Sequence, residues 1–309
     1  MRKIPLILDG DPGHDDAIAW MLCRASEELS IRAVTTESGN QTIEKTTCNA
    51  RRVCTLLGID APIAMGAPRP LYAAPVTAGN IHGASGLDGP ALPEPVMDTV
   101  DMAGWELMAK VLTESREPVT ILATGALTNV ALLLQNRPDL KEKIGRISLM
   151  GGGLSHGNWT PAAEFNIFID AEAADIVFRS GIPLLMSGLD VTERALVLPE
   201  EFEAIRRVGN PVARTVADWL DFFFRFHRDI GYAGAPLHDP VAVAALLHPE
   251  ILTMKELYVE VETGGKWCRG ATVGDFGGIG GKAPNVTAAL DIDRAAFVRL
   301  LTEAAAFYA

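Results

Sequence analysis

The sequence is poor in cysteine and in positive charge, and it has no long apolar run. Its four cysteines, Cys23, Cys48, Cys54 and Cys268, show no Cys-x-x-Cys spacing. That excludes a disulfide frame or a zinc site and reads as buried thiols of a reducing compartment. Net charge is −12 with no basic run, which argues against a nucleic-acid backbone as partner. No apolar stretch reaches membrane-spanning length. The run at 4–8, ahead of the first acids, is too short for a signal peptide. A soluble cytoplasmic protein is the expectation. There is no Ser/Gly linker, low-complexity tract or internal repeat, so one domain, 1–309, with a substantial core is expected. Gly151-Gly152-Gly153 lacks the Lys and Ser/Thr of a phosphate-binding P-loop and does not match G-x-G-x-x-G. No Gly-x-Ser-x-Gly nucleophile elbow occurs.

What is present is concentrated near the start, in KIPLILDGDPGHDDAIA at 3–19. Residues 4–8 read as a buried strand and 17–23 as an apolar helix. Between them Asp9, Asp11, Asp15 and Asp16 surround Pro12 and Gly13. Four crowded carboxylates repel one another and hold protons. The positive end of the following helix relieves this in part, and a bound cation relieves it far more. All-oxygen donors suit Ca²⁺ or Mg²⁺ better than zinc. A helix cap with surplus surface acids would explain one or two of these residues, but hardly four.

Further strands are expected at 31–36, 62–65, 119–123, 146–150, 183–187, 257–262 and 286–291. Helices are expected at 42–57, 105–113, from about 128, at 171–179, over most of 199–226, after Pro240 and at 295–308. This alternation predicts an α/β fold: an open, mostly parallel central sheet with helices on both faces. The polar residues of interest follow strands, at Asp11, Asn40, Thr124 and the loop after Met150, so they should converge at the carboxyl edge of the sheet. The long Gly- and Pro-containing loop at 68–95 holds Asn80 and His82 and reads as functional. A loop histidine is commonly just solvated. His238-Asp239-Pro240 opens a helix, where Asp239 suits either an N-cap or a distant metal ligand. Asn158, Glu164 and Asn166 form a polar group suited to a hydroxyl-rich ligand, or else to turn chemistry.

These residues carry a resemblance. Leu8-Asp9-Gly10-Asp11-Pro12-Gly13-His14-Asp15-Asp16-Ala17 resembles the DxDPGxDDA motif of the inosine–uridine-preferring nucleoside hydrolases. Ser38-Gly39-Asn40-Gln41, Asn80-Ile81-His82-Gly83, Leu87-Asp88-Gly89-Pro90, Thr124-Gly125-Ala126-Leu127-Thr128-Asn129, Leu149-Met150-Gly151-Gly152, Ala163-Glu164-Phe165-Asn166 and His238-Asp239 follow in that family's order. The resemblance is closest to the pyrimidine-preferring members. It implies the nucleoside hydrolase fold, a bound Ca²⁺ and a ribonucleoside substrate cleaved to ribose and free base. Metal ligands would be Asp11, Asp16, Asp239 and the carbonyl of Thr124. Asp11 would also be the base on a metal-bound water attacking C1′ through an oxocarbenium-like transition state. Asp15 and Asn40 would hold the ribose 2′- and 3′-hydroxyls, and Asn158, Glu164 and Asn166 would grip the sugar. Asn80, Met150 and Phe226 would complete the substrate contacts. His82 and His238 would serve the leaving base, since an imidazole with a pKa near 6.5 can supply a proton. The family also implies a homo-oligomer, tetramer or dimer.

The chain departs from the pattern at 221–227, Asp-Phe-Phe-Phe-Arg-Phe-His, where pyrimidine-preferring members carry polar residues facing the base. Phe222 or Phe226 is expected there, stacking on a base without reading its edge, or else packing in a core helix. Ala126 stands where Pro is usual, which should not disturb the Thr124 carbonyl. Two other readings compete. A haloacid-dehalogenase-type phosphatase would use Asp9 as nucleophile and Asp11 as acid/base, but Pro12-Gly13-His14-Asp15-Asp16 is not its usual continuation. A non-catalytic ribose or nucleoside binder with structural Ca²⁺ would have no need of Asp11 as a base.

Overall fold

The computed structural model describes residues 3–308. Its strands in chain order are β1 (Ile4–Gly10), β2 (Leu29–Thr36), β3 (Ile63–Ala64), β4 (Val119–Ala123), β5 (Ile144–Met150), β6 (Leu184–Ser187), β7 (Leu196–Val197), β8 (Ala235–Pro236), β9 (Leu252–Val261), β10 (Thr272–Asp275) and β11 (Val286–Ile292). Nine of them form one sheet in the order β10-β9-β11-β6-β5-β4-β1-β2-β3. Pairing is parallel from β11 through to β3, while β9 runs antiparallel to both β10 and β11.

The helices are α1 (His14–Ala25), α2 (Ile43–Leu57), α3 (Gly79–His82), α4 (Gly104–Glu114), α5 (Thr128–Asn136), α6 (Phe165–Ile169), α7 (Ala171–Phe178), α8 (Leu189–Thr192), α9 (Pro199–Arg206), α10 (Pro211–Asp229), α11 (Asp239–Leu247) and α12 (Arg294–Ala306). Successive side chains of a strand point to opposite faces. Accordingly Leu6 and Leu8 of β1 enter one buried cluster, with Trp20, Trp219 and Phe297, while Ile7 enters the other, with Ile121, Ile147 and Phe178. Both faces of the sheet are therefore covered, as the alternation of elements predicts. No helix among the described residues is long and apolar enough to cross a membrane.

The strand order decides where a ligand can sit. The chain steps from β1 to β2 to β3, returns to place β4 on the other side of β1, then steps through β5 and β6 the opposite way. The reversal falls between β1 and β4, and such a switch point opens a crevice at the carboxyl ends of its two strands. Asp11 follows β1 and Thr124 follows β4.

The expected elements differ in detail. The region at 199–226 is two helices, broken at Gly209-Asn210-Pro211, where Asn210 caps α10 by accepting from the N–H of Ala213. The strand expected at 257–262 starts earlier, at Leu252, because its first residues pair with the end of β11. Edge strand β10 was not anticipated; at four residues it is too short for a periodicity signal and exists through pairing with β9. Glu164 and Asn166, read as loop residues, lie at the start of α6.

Candidate active site

The loop after β1 is held from several sides. The N–H of Gly13 donates to Asp16 Oδ2 (2.9 Å), and Asn49 Nδ2 donates to the Pro12 carbonyl (3.1 Å). Asp15 and Asp16 lie in the first turn of α1, where the helix dipole favours negative charge. Asp16 Oδ1 accepts from Thr124 Oγ1 (2.6 Å), tying the loop to the end of β4. Asp11 Oδ2 accepts from the N–H of Asn40 (2.7 Å), tying it to the turn after β2.

The four acids do not act as one group. Asp9 shares the strand parity of Ile7 and turns away, its Oδ1 accepting from Thr35 Oγ1 (2.6 Å) and Asn129 Nδ2 (2.9 Å). The strand's own alternation could have shown this. It also removes Asp9 as a nucleophile, and the phosphatase reading with it. The place of the fourth acid is taken by Asp239, the first residue of α11 rather than its N-cap. Asp15, Asp16 and Asp239 each bring one carboxylate oxygen within 4.8 Å of the other two.

Asp11, Asp15, Asp16 and Asp239 are all buried, and among the described residues none forms an ion pair with Lys or Arg. Burial, with mutual repulsion, pushes Asp11 and Asp239 well above the usual carboxylate range. Asp15 is pushed up to about 8 by burial and by Asp16, and Asp16 to about 6 by burial. Asp15 Oδ1 is buried with no hydrogen-bond partner. Buried charges are ordinarily paired or bound to metal. An all-oxygen donor set with one orphaned oxygen therefore fits a hard divalent cation. Glycines keep the space open: a Cβ at Gly39 would stand 2.0 Å from Asp11 Oδ2, and one at Gly10 would stand 2.6 Å from Asp16 Oδ1. Gly39→Ala should leave the chain folded by circular dichroism while displacing the Asp11 carboxylate. Catalytic turnover is expected to fall at least about tenfold, as for a misplaced reacting group; an unchanged rate would show that the cradle does not position Asp11.

A cavity open to solvent lies above these acids, a concave site of the kind that takes small molecules. Asp15, Asn40, Thr124, Asn166, Glu164 and Asp239 are among the residues that line it. Asn40 Nδ2 donates to Asp16 Oδ2 (3.2 Å), and Asn166 Nδ2 donates to the carbonyls of Thr124 (3.0 Å) and Met150 (3.2 Å). Glu164 caps α6, accepting from the N–H groups of Gly152, Asn166 and Ile167. Burial nevertheless raises it to about 7. Met150 lies in the wall, and Asn158 is exposed near the mouth, its Oδ1 accepting from the N–H of Phe165 (3.0 Å). Asp11 and Asp16 lie beneath this floor, fully buried.

Much of the remaining lining is aromatic or imidazole. His82 is not a solvated loop residue: it is buried, its ring stacked on His14 at 5.4 Å, and it lines the cavity. Asn80, two residues earlier, is exposed and is not brought to the cavity. Phe226 lines the cavity as expected, together with Phe223 and His227, which were not singled out. These are spaced i, i+3, i+4 along α10, the spacing of one helix face, so the signal was present. Phe222 instead stacks on His14 at 5.2 Å. Glu193 and Tyr232 also line the cavity, with no sequence signal to mark them. His238 is present, its Nδ1 2.8 Å from Thr192 Oγ1. Burial pushes His238 down to about 3 and His82 well below its ordinary value. An imidazolium near pH 6.5 is thus not what these rings supply; they stand as neutral hydrogen-bonding groups.

Comparison with known proteins agrees with this geometry. The family model described as inosine-uridine preferring nucleoside hydrolase matches residues 6–299. The chain is 55% identical over 309 residues to the pyrimidine-specific ribonucleoside hydrolase RihA of Klebsiella pneumoniae, and 54% identical to RihA of Escherichia coli O7:K1, with 99% of each chain covered. Among solved structures it is similar to the purine-preferring ribonucleoside hydrolase from Gardnerella vaginalis, with a TM-score of 0.92 and 30% identity over 98% of this chain and 99% of that one. It is also similar to an inosine-guanosine nucleoside hydrolase, with a TM-score of 0.90 and 27% identity over 99% of both chains.

Proposed function

Since the chain belongs to the inosine-uridine preferring nucleoside hydrolase family and is an N-ribosyl hydrolase acting on ribonucleosides, we propose that its substrates are pyrimidine ribonucleosides and that its metal is Ca²⁺. The buried group of Asp15, Asp16 and Asp239, without a cationic side chain and at the floor of the cleft, is the observation that carries the metal reading. Asp11, Asp16, Asp239 and the Thr124 carbonyl would hold the ion, and Asp15 and Asn40 the ribose 2′- and 3′-hydroxyls. When bound, the ion offsets the carboxylates' repulsion and acidifies water.

Asp11 is the base. Its carboxylate is fixed by the Asn40 N–H and takes a proton from the attacking water. The water oxygen bonds to C1′ as the N-glycosidic bond breaks, through an oxocarbenium-like sugar. The base leaves with the bonding pair and takes up the proton that balances the hydrolysis. His82 and His238 stand beside it as neutral hydrogen-bonding groups. Asn166, Glu164 and Asn158 hold the sugar, with Met150 and Phe226 in the walls, so the anomeric carbon is presented in one orientation. No covalent intermediate is needed, and Asp9, the remaining acid of the loop, is committed elsewhere.

The pyrimidine preference is supported by the two RihA relatives, which are named for it. A single domain, a homo-oligomer and a cytoplasmic place of action belong to the same proposal. A panel of uridine, cytidine, inosine and adenosine, scored for free ribose, tests it. We expect the two pyrimidine nucleosides to exceed the two purine nucleosides in kcat/KM by at least about 100-fold, the size of a discrimination built on pocket contacts. Faster release from inosine than from either pyrimidine would overturn the preference and leave the hydrolase reaction standing.

A further inference from the structure

His82 reaches the cleft from a turn rather than from a long element. It ends α3, a helix of four residues, and the chain then turns through 83–88. So short a helix has little stability of its own, and its position depends on what holds the turn. From one side the Asp88 carboxylate accepts from the N–H groups of Ala84 (2.8 Å) and Ser85 (3.0 Å). The carbonyls of Gly83, Ala84 and Ser85, three in succession, each accept from a side chain outside the turn. Gln41 Nε2 donates to the first (3.0 Å), Lys45 Nζ to the second (2.6 Å) and Asn49 Nδ2 to the third (2.9 Å).

Lys45 and Asn49 belong to α2, and Gln41 lies just ahead of it. A spacing of four residues sets such side chains in one row on a helix face. A Cβ at Gly86 would stand 3.0 Å from both Gln41 Cγ and Asn49 Nδ2, so the turn packs directly on this row. None of the three lines the cleft.

Asn49 also reaches further. Its amide nitrogen carries two protons, and the second goes to the Pro12 carbonyl (3.1 Å), between Asp11 and Asp16 in the chain. One nitrogen thus spans the aspartate loop and the turn of His82. The turn meets that loop again through His14, whose Nε2 lies 2.9 Å from the Asp88 carbonyl and whose ring stacks on His82. We propose that the row of Gln41, Lys45 and Asn49 positions His82 in the cleft, with Asn49 as the residue that fixes it relative to the aspartates. A neutral ring that hydrogen-bonds a leaving base works only when held within about 0.5 Å of its place. This rests on the reading of His82 as a group beside the leaving base.

The test is a double-mutant cycle on kcat/KM for uridine and cytidine, by ribose release, with Asn49→Ala, Lys45→Ala and His82→Ala. His82→Ala should cost at least about 30-fold and Asn49→Ala at least about tenfold, as for a misplaced group. Lys45 is exposed; Lys45→Ala should cost about threefold, and Lys45→Arg, which keeps a donor, should not. In the His82→Ala background the Asn49 and Lys45 substitutions should each cost less than about twofold, because the group they place is gone. The Ca²⁺-dependent rise in Tm should persist in Asn49→Ala. Costs that multiply fully with that of His82→Ala, or a Ca²⁺ response lost in Asn49→Ala, would show that the row serves the fold or the aspartate loop instead, and overturn the inference. Should Asn49→Ala fail to fold, Lys45→Ala carries the same cycle, and an unchanged rate there overturns the inference. An unchanged rate in His82→Ala would remove the reading of His82 beneath it, and the inference with it.

Discussion

Asp11→Asn should lower kcat on uridine and cytidine by about 10³-fold, equivalent to about 4 kcal/mol of barrier. The side chain is fully buried and accepts from the Asn40 N–H. An amide oxygen can keep that hydrogen bond, so the loop should stay in place, with circular dichroism and the metal-free Tm close to wild type. What the amide cannot do is take a proton from water. It also removes one negative charge from a group with no cationic partner, so unfolding of the metal-free protein should not come earlier than in wild type. Nucleoside binding, followed by calorimetry, should persist. Turnover within a few fold of wild type would remove Asp11 as the base and favour the reading in which the acids serve only to bind.

Chelation should strip both activity and stability, and Asp239→Asn should reproduce the loss permanently. A ligand that binds only the folded chain, present at a hundred times its Kd, contributes about 2.7 kcal/mol, roughly 5 °C in Tm for a chain of this size. We expect EDTA to lower the wild-type Tm by that order and added Ca²⁺ to restore it. Mg²⁺, which demands a tighter octahedral site, should restore less, and Zn²⁺, which prefers nitrogen and sulfur, least. In Asp239→Asn the Ca²⁺-dependent rise in Tm should shrink to near zero, and ribose release should fall to about 1% or less, as expected when a metal's chemistry is lost. The Tm readout matters because it does not depend on turnover. A wild-type Tm and rate indifferent to chelator would mean that the acids hold protons rather than a cation.

Local features were legible because local rules set them. The buried strand, the Pro-Gly turn and the apolar helix after it read directly from 3–19, and the structure has β1 and α1 there. Alternation of strands and helices foretold a mostly parallel sheet, since parallel strands need crossovers. Asp9 was grouped with its neighbours by sequence distance alone, although period-two geometry places it with Ile7. Of the two phenylalanines expected near the base, Phe226 lines the cavity and Phe222 packs on His14, while Phe223 and His227, on the same helix face as Phe226, had not been singled out.

The sequence by itself determined the kind of chemistry, because acids packed into one strand-to-helix turn repel one another wherever the rest of the chain goes. Only the tertiary structure decided which acids act together. The reversal of strand order between β1 and β4 opens a crevice there, and α11 delivers Asp239 to it in place of Asp9. Asn49 likewise meets Pro12 and Ser85 only in space. A backbone carbonyl taken out of water needs a donor, and the tertiary structure supplies it from residues far apart in the chain.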